Sequence, residues 1–357
     1  MINNPTTVPY SVSLDITYKC NLRCLHCFNS SGEHDTGQVE LTDEEILYIC
    51  DDIVKLQPNS VCICGGEPLL RKELVYKVIN KLTAESNNNI VVNMVSNGEL
   101  MTREVAENLK KAGVRTVQIS IDGGTKETHE WIRNKKGSYE RAINALRYLQ
   151  EVGLDSAVSC LPTKKSLPEI KANIDICKSL GVTNFRSQPL MLLGRAKDNL
   201  EDYTLDFEEY GELVELIEEL KVNPEYNSIV IEWGDPTEHL MDEMQEKLKY
   251  NTAIGINGYG ELTISPYIPL VIGNLRRHSL LDYWNNGLSN AISLPVVKEI
   301  TDKIVVSENM DLSKTEDHIP EVYRERSLTL DIIDRKHEID TITLEELVKK
   351  SEDSYND

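Results

Sequence analysis

The sequence predicts an α/β fold, a partial (β/α)6 barrel followed by a small C-terminal α+β appendage. Short runs rich in β-branched residues alternate with amphipathic stretches of helical period through the first half of the 357-residue chain. This alternation is typical of repeated βα units around a parallel sheet. A glycine stands between helix and following strand at Gly113, Gly153 and Gly181, as helix C′ glycines do.

Six βα units account for the first half of the chain. Their strands are predicted at 11–17, 60–64, 90–96, 114–121, 154–160 and 184–190. The first helix begins at Thr42, which starts a capping box. An acidic helix and a seventh strand at 228–233 follow, and the alternation then stops.

The sequence after the seventh strand lacks the βα alternation, and we expect a smaller, less regular unit there. Residues 252–265 are expected to form a hairpin, followed by a short helix near 279–286. We therefore divide the chain into a barrel core at 10–235, an extension at 236–300 and an acidic C-terminal helical segment or tail at 301–357.

Charge and composition exclude several classes of partner. The chain has 59 acidic residues against 38 Lys and Arg, a net charge of -21. Such a chain repels polyanions, so neither nucleic acid nor an anionic membrane surface is an expected partner. No signal peptide and no apolar run of about 20 residues occurs, which favours a cytoplasmic location. Because that compartment keeps thiols reduced, the eight cysteines are not expected to form disulfides.

Cys20, Cys24 and Cys27 form a C-x3-C-x2-C run just after the first predicted strand. Three thiolates so close together suit a loop around one metal centre. Structural zinc would require a fourth ligand, for which His26 and His34 are the nearest candidates. In an iron–sulfur cluster, three cysteines leave one iron open to a small molecule. The spacing alone leaves both alternatives open.

The second predicted strand ends in Gly65, Gly66, Glu67 and Pro68. With the cysteine run, this GGEP motif resembles the radical S-adenosylmethionine (SAM) superfamily, which carries the two motifs after the first and second strands of a radical SAM barrel. The resemblance implies that the three cysteines hold one [4Fe–4S] cluster whose open iron binds SAM. It also implies reductive cleavage of SAM to a 5′-deoxyadenosyl radical, which abstracts hydrogen from a substrate. An external one-electron reductant of flavodoxin or ferredoxin type would supply the electron.

The resemblance also implies which residues contact SAM or the substrate. The two glycines would let the backbone approach the SAM methionine, and Glu67, followed by Pro68, would accept a hydrogen bond from its ammonium group. Later strand ends resemble family positions beside SAM or the substrate, with polar turns, strand ends or a surface charge as the alternative: Ser96, Asn97, Ser120, Asp122, Arg186, Gln188 and Arg195. Of these, Arg195 is our candidate catalytic residue.

Residues 265–284 resemble the start of the SPASM or twitch domain, the auxiliary-cluster domain of enzymes that mature ribosomally made peptides. That domain normally has several cysteines, whereas Cys177 is the last cysteine here. We therefore expect a degenerate extension without auxiliary clusters. A redox-neutral outcome such as epimerisation is then favoured, with rearrangement, elimination and crosslinking as alternatives.

Epimerisation needs a hydrogen-atom donor, commonly a thiol. Cys160 ends the fifth predicted strand, where such barrels gather their functional groups, and is our candidate donor. The alternative for Cys160 is a small buried hydrophobe. Cys50, Cys62 and Cys177 are expected to pack in the core, and Cys64 is not expected to be a ligand.

The sequence thus predicts a radical SAM enzyme that modifies a ribosomally synthesised peptide. Few residues precede the first strand, so leader recognition is expected to need a separate leader-binding protein or the acidic C-terminal segment. One alternative is a radical SAM enzyme for a small molecule such as a sugar, nucleotide or tetrapyrrole precursor. The other is a non-catalytic protein whose cysteines hold zinc or sense redox state.

Overall fold

One ten-stranded sheet organises the protein. The computed structural model describes residues 8–33, 37–234, 253–265, 268, 270–301 and 328–353. The strands are β1 Ser11–Asp15, β2 Ser60–Cys64, β3 Val91–Ser96, β4 Thr116–Ser120, β5 Asp155–Cys160, β6 Asn184–Ser187, β7 Val230–Trp233, β8 Ala253–Ile256, β9 Glu261–Thr263, β10 Leu270–Val271, β11 Gly273–Asn274 and β12 Leu328–Thr329. The helices are α1 Asp43–Leu56, α2 Lys72–Glu85, α3 Arg103–Ala112, α4 Lys126–Arg133, α5 Ser138–Glu151, α6 Ile170–Ser179, α7 Arg195–Asn199, α8 Phe207–Val222, α9 Leu280–Asn285, α10 Pro295–Thr301 and α11 Leu344–Asp353.

The sheet runs in the order β11-β9-β8-β1-β2-β3-β4-β5-β6-β7. Strands β1 to β7 are parallel and follow chain order, so each βα unit adds one strand beside the last. This confirms the predicted α/β fold. The sixth strand ends at Ser187, three residues earlier than predicted.

Alternation along the strands separates the hydrophobic core from a cavity. On β1, Val12 and Leu14 pack in the main apolar cluster with helix residues such as Ile46. The intervening Ser13 and Asp15 line the cavity. Because successive strand side chains point to opposite faces, the same division recurs on the neighbouring strands. The polar faces of the strands therefore surround one space.

Helix ends follow the chemistry that the sequence indicates. Thr42 caps α1 by accepting from the Glu45 N–H, and the Glu45 carboxylate accepts from the Thr42 N–H in return. This capping box is the one predicted. Gly113 ends α3 with a φ of 103°, a left-handed conformation that favours glycine.

The C-terminal strands extend the same sheet. Strands β8 and β9 form the predicted antiparallel hairpin, with Ile256 opposite Leu262. Strand β8 also pairs in parallel with β1, which was not predicted. Strands β10 and β12 form a separate two-stranded sheet. The predicted boundary at 235 falls within 235–252, outside the described residues. In the described part of the chain, no helix has the length and apolar character that crossing a bilayer requires.

Candidate active site

A cavity of about 900 Å³ opens at the carboxyl ends of the parallel strands. Its wall contains all three cysteines of the C-x3-C-x2-C run and both glycines of the GGEP motif. Functional groups of α/β barrels gather at this face because the loops after the strands converge there. The two motifs are therefore neighbours in space, as the resemblance implies.

The glycine pair holds the start of the cysteine loop, residues 20–27. The Gly66 N–H donates to the Thr17 carbonyl over 2.7 Å, and the Glu67 N–H donates to the Lys19 carbonyl over 2.9 Å. A Cβ on Gly66 would lie 2.3 Å from the Lys19 oxygen, and one on Gly65 would lie 2.4 Å from the Thr17 oxygen. Glycine is therefore required here by the approach of the protein's own backbone.

Arg195 holds the other end of the cysteine loop. Its backbone N–H donates to the Cys27 carbonyl over 3.0 Å, and its Nε donates to the Cys24 carbonyl over 2.9 Å. The guanidinium also contacts Glu33 at 2.6 Å. These bonds occupy much of its donor capacity, so the structure gives Arg195 a positioning role at the cavity wall. Our prediction of a catalytic role for Arg195 is not what its contacts support.

The three thiols are too far apart as a group to surround one ion. Among the described residues, the one group of three or more His, Cys, Asp or Glu ligand atoms within 4.8 Å of one another is His278, Asp331 and Asp334. Thiolates on a single tetrahedral zinc lie about 3.8 Å apart, given Zn–S bonds of about 2.3 Å. His26 directs Nε2 to Asp122, and His34 lies outside the described residues. Three separated thiols on a cavity fit an iron–sulfur cluster better than zinc.

Nitrogen donors lie beside two of the three loop sulfurs, those of Cys24 and Cys20. Arg133 Nη1 lies 3.7 Å from Cys24 Sγ, and Asn97 Nδ2 lies 3.9 Å from Cys20 Sγ. Burial nevertheless raises the pKa of Cys24 to about 11, and burial also raises the pKa of Cys20. These thiols are therefore protonated at neutral pH in the metal-free protein, and metal binding must release their protons.

Asp122, Arg133 and His26 form a buried network beside the cysteine loop. Asp122 Oδ2 lies 2.6 Å from Arg133 Nη2 and 3.1 Å from His26 Nε2, while Oδ1 accepts from the Leu161 N–H. Burial alone would raise the pKa of Asp122, but Arg133 and then His26 outweigh it and hold that pKa below its usual range. The carboxylate is therefore charged and fixes both neighbours.

Two buried nitrogen atoms of this network have no hydrogen-bond partner among the described residues. They are Nε of Arg133 and Nδ1 of His26, and both side chains line the cavity. Buried polar atoms are rarely left unpaired, so these two mark a place for a polar ligand. Arg133 is not predicted from the sequence, because it lies in α4 outside both motifs.

Glu67 serves the fold and does not reach the cavity. Its fully buried carboxylate accepts from the Leu69 N–H at 3.1 Å, the Ser96 hydroxyl at 2.9 Å and the Asn97 N–H at 2.8 Å. The predicted bond from Glu67 to the SAM ammonium stays a prediction, and the structure shows this carboxylate already accepting three hydrogen bonds from within the protein. Pro68 is likewise buried, at the start of a short 3₁₀ helix.

The other predicted SAM contacts are placed on the cavity wall. These are Gly65, Gly66, Ser96, Asn97, Ser120, Asp122 and Gln188. Ser96 and Asn97 are positioned by Glu67, and Ser120 ends β4. Arg186 and Gln188 lie at and just after β6. Their contacts to SAM stay a prediction.

Cys160 and Cys62 lie on the faces opposite to those that we predicted: Cys160 in the core and Cys62 at the cavity. Cys160 is fully buried in the main apolar cluster, while its neighbours Ser159 and Leu161 line the cavity. Cys160 therefore lies on the opposite face of β5 from the cavity, and this placement does not support the predicted hydrogen-donor role. Cys62, which we expected in the core, lines the cavity with Cys64.

Comparison with known proteins agrees with this geometry. Residues 14–165 match the model of the Radical SAM superfamily. The chain is 27% identical to an AdoMet-dependent heme synthase of Methanosarcina barkeri over 79% of this chain and 83% of that protein. It is 32% identical to the mycofactocin maturase MftC of Mycolicibacterium smegmatis over 54% of this chain and 48% of MftC. The chain thus spans about half the length of the mycofactocin maturase that it matches.

A solved structure shows the same fold. The structure of Streptococcus suis SuiB bound to S-adenosylmethionine aligns with a TM-score of 0.65 and 18% identity, over 84% of this chain and 69% of SuiB. SuiB has also been solved bound to the precursor peptide SuiA. Residues 14–165, which match the Radical SAM superfamily and bring its two motifs together on one cavity, are thus similar to that superfamily, and the similar proteins include mycofactocin maturases and a heme synthase.

Proposed function

We propose that this protein is a radical SAM enzyme that abstracts hydrogen from a ribosomally synthesised peptide. The observation that carries the proposal is one cavity whose wall holds the three free thiols of the cysteine loop and the glycine pair. The same wall contains Arg133 and His26, each with one buried nitrogen that has no hydrogen-bond partner among the described residues. A [4Fe–4S] cluster and SAM, when bound there, supply a 5′-deoxyadenosyl radical. Cys20, Cys24 and Cys27 are the proposed cluster ligands.

The chain's own residues bind and orient SAM in this proposal. Arg133 is a buried cation with a free Nε, so it is suited to bind the SAM carboxylate. Asp122 holds the guanidinium in place through the 2.6 Å ion pair. Ser96, Asn97, Ser120 and Gln188 supply polar side chains to the rest of the molecule.

A peptide suits the remaining wall of the cavity. The amide side chain of Gln118 lines it and matches the donors and acceptors of a peptide backbone. No hydrogen bond or ion pair engages Arg186 within the described ranges, which leaves a cation at this wall for a substrate group. The relatives MftC and SuiB support the peptide, although the modification itself is our inference.

We further propose a redox-neutral modification such as epimerisation, with crosslinking as the alternative outcome. No cysteine follows Cys177 in the sequence, so residues 178–357 offer no thiolate ligand for an auxiliary cluster that would accept an electron. Each reductive cleavage of SAM consumes one electron unless SAM is re-formed, and a flavodoxin or ferredoxin would deliver that electron. A separate leader-binding protein completes the proposed set of partners.

A carboxylated tetrapyrrole is the second candidate substrate. The match to the heme synthase covers most of both chains, whereas the match to MftC covers about half of each. A carboxylate of such a substrate would pair with Arg186 as readily as a peptide group would. The two candidates therefore need a direct test.

The test measures 5′-deoxyadenosine formed by the reconstituted enzyme with SAM and a low-potential reductant under anaerobic conditions. One reaction contains short peptides encoded next to the gene, and the other contains a carboxylated tetrapyrrole. We expect peptide-dependent 5′-deoxyadenosine and a changed peptide mass or stereochemistry. Stimulation by the tetrapyrrole alone would overturn the peptide proposal. The Cys20→Ala, Cys24→Ala, Cys27→Ala variant is the control, and it should form no 5′-deoxyadenosine.

A further inference from the structure

Two thiols of β2 face the cavity and contact one another. Cys62 and Cys64 both line the cavity, and their Sγ atoms are 3.3 Å apart with the Cys64 S–H donating to the Cys62 sulfur. This hydrogen bond uses the hydrogen of Cys64 and leaves that of Cys62 unused. An S–H bond on the cavity wall is therefore available to a bound molecule.

A carboxyl group lies next to this pair. Asp15 is the register partner of Cys64 on the neighbouring strand β1, and it lines the same cavity. Among the described residues, no hydrogen bond or ion pair engages its carboxyl group. Burial raises the pKa of Asp15 to about 7, so a large fraction of the group holds a proton near neutral pH.

Cys62 and Cys64 are the only cysteines outside the cysteine loop that line the cavity. All eight cysteines lie in the described ranges. Three belong to the loop, and Cys50, Cys160 and Cys177 are fully buried in the main apolar cluster. Cys62 and Cys64 are the remaining thiols, and both reach the cavity.

We propose that Cys62, Cys64 and Asp15 form a relay that returns a hydrogen atom to the substrate radical. This inference rests on the proposed function and names the residues that complete a redox-neutral reaction. The substrate carbon radical takes the hydrogen atom of Cys62, so a C–H bond forms, the S–H bond breaks and Cys62 becomes a thiyl radical. The Cys64 hydrogen then transfers across the 3.3 Å contact to the Cys62 sulfur.

The last step restores Cys64. One electron from the flavodoxin or ferredoxin reductant and one proton from the Asp15 carboxyl group convert the Cys64 thiyl radical to the thiol. Solvent then reprotonates Asp15. The substrate has lost one hydrogen atom to the adenosyl radical and gained one from Cys62, so its oxidation state is unchanged.

The placement of the thiols is tested without any substrate. The cluster-loaded protein is treated with N-ethylmaleimide, and the labelled cysteines are identified by mass spectrometry. We expect labels on Cys62 and Cys64, because iron protects the loop cysteines and the core protects Cys50, Cys160 and Cys177. Labelling of Cys160 with Cys62 and Cys64 left unlabelled would overturn the placement and the relay.

The relay itself is tested in D2O with the peptide that stimulates 5′-deoxyadenosine formation. We expect one deuterium in the wild-type product, from the exchanged Cys62 thiol. The Cys62→Ser variant should still form 5′-deoxyadenosine but yield at least tenfold less deuterated product. The Cys64→Ser variant should stop after about one turnover, because its Cys62 thiyl radical is not refilled. The Cys177→Ala variant is the matched control and should behave as wild type.

The outcomes separate the two proposals. If the Cys62→Ser variant incorporates as much deuterium as the wild type, or if the wild-type product is modified without deuterium, the relay is wrong and the proposed function stands. If the wild type forms no 5′-deoxyadenosine with any peptide, the proposed function is wrong and the relay falls with it.

Discussion

Nη2 of Arg133 lies 2.6 Å from Oδ2 of Asp122, and both side chains are more than nine-tenths buried beside the cysteine loop. The same guanidinium extends to 3.7 Å from Cys24 Sγ. One buried cation therefore links a strand-end carboxylate to a proposed cluster ligand. This contact connects the stability of the fold to the organisation of the candidate active site.

Removing the charge of Asp122 should destabilise the protein strongly. Asp122→Asn leaves Arg133 as an uncompensated buried cation, which typically costs about 3 kcal/mol or more. Urea denaturation of the metal-free protein measures the free energy of unfolding. Asp155→Asn is the matched control, because its ion pair with Arg115 is exposed and such pairs are worth about 1 kcal/mol or less. Equal effects of the two substitutions would contradict the role of the buried pair.

Gly194→Ala should displace the end of the cysteine loop. Gly194 has a φ of 54°, and a Cβ there would lie 2.4 Å from the Phe28 carbonyl oxygen and 2.6 Å from that of Cys27. We expect lower iron retention after reconstitution and a reduced free energy of unfolding. In the control Gly211→Ala, the added Cβ meets nothing within 4 Å, and alanine favours helix α8 by about 0.5–1 kcal/mol. Full iron retention in the Gly194→Ala variant would contradict the close approach.

The carboxyl group of Asp15 should give the protein a pH-dependent stability. Its pKa is raised from 3.8 to about 7 by burial, so the folded state holds the proton more tightly than the unfolded chain. The resulting stabilisation is complete below pH about 4 and is lost as the pH rises to about 7. Between those values, the free energy of unfolding of the wild type should fall more steeply than that of Asp15→Asn. Parallel pH profiles from urea denaturation would contradict the raised pKa.

The order of the strands and the two SAM motifs were predictable from local patterns. Gly65 and Gly66 were identified correctly as a place of close backbone approach, but the approaching groups are the carbonyls of Thr17 and Lys19. A glycine motif indicates that another group approaches the backbone closely, but it does not indicate which atoms make that approach. The same limit explains Glu67, whose three donors come from residues 69, 96 and 97.

The features that the sequence did not predict depend on the face of a strand or on distant contacts. Both strands end where the sequence predicts, at Cys64 and Cys160, but the sequence did not indicate which of the alternating side chains face the cavity and which face the core. Arg133 was missed because its importance comes from Asp122 and Cys24, which are 11 and 109 positions away in the sequence. The pairing of β8 with β1 joins segments more than 200 residues apart, which no local pattern records.

The central claim is that Cys20, Cys24 and Cys27 hold one [4Fe–4S] cluster in the cavity. The most direct measurement is iron and sulfide content after anaerobic reconstitution, in the wild type and in the Cys20→Ala, Cys24→Ala, Cys27→Ala variant. We predict about four irons and four sulfides per chain in the wild type and nearly none in the variant. Zinc without iron in the wild type would contradict the claim, and so would iron that survives in the variant.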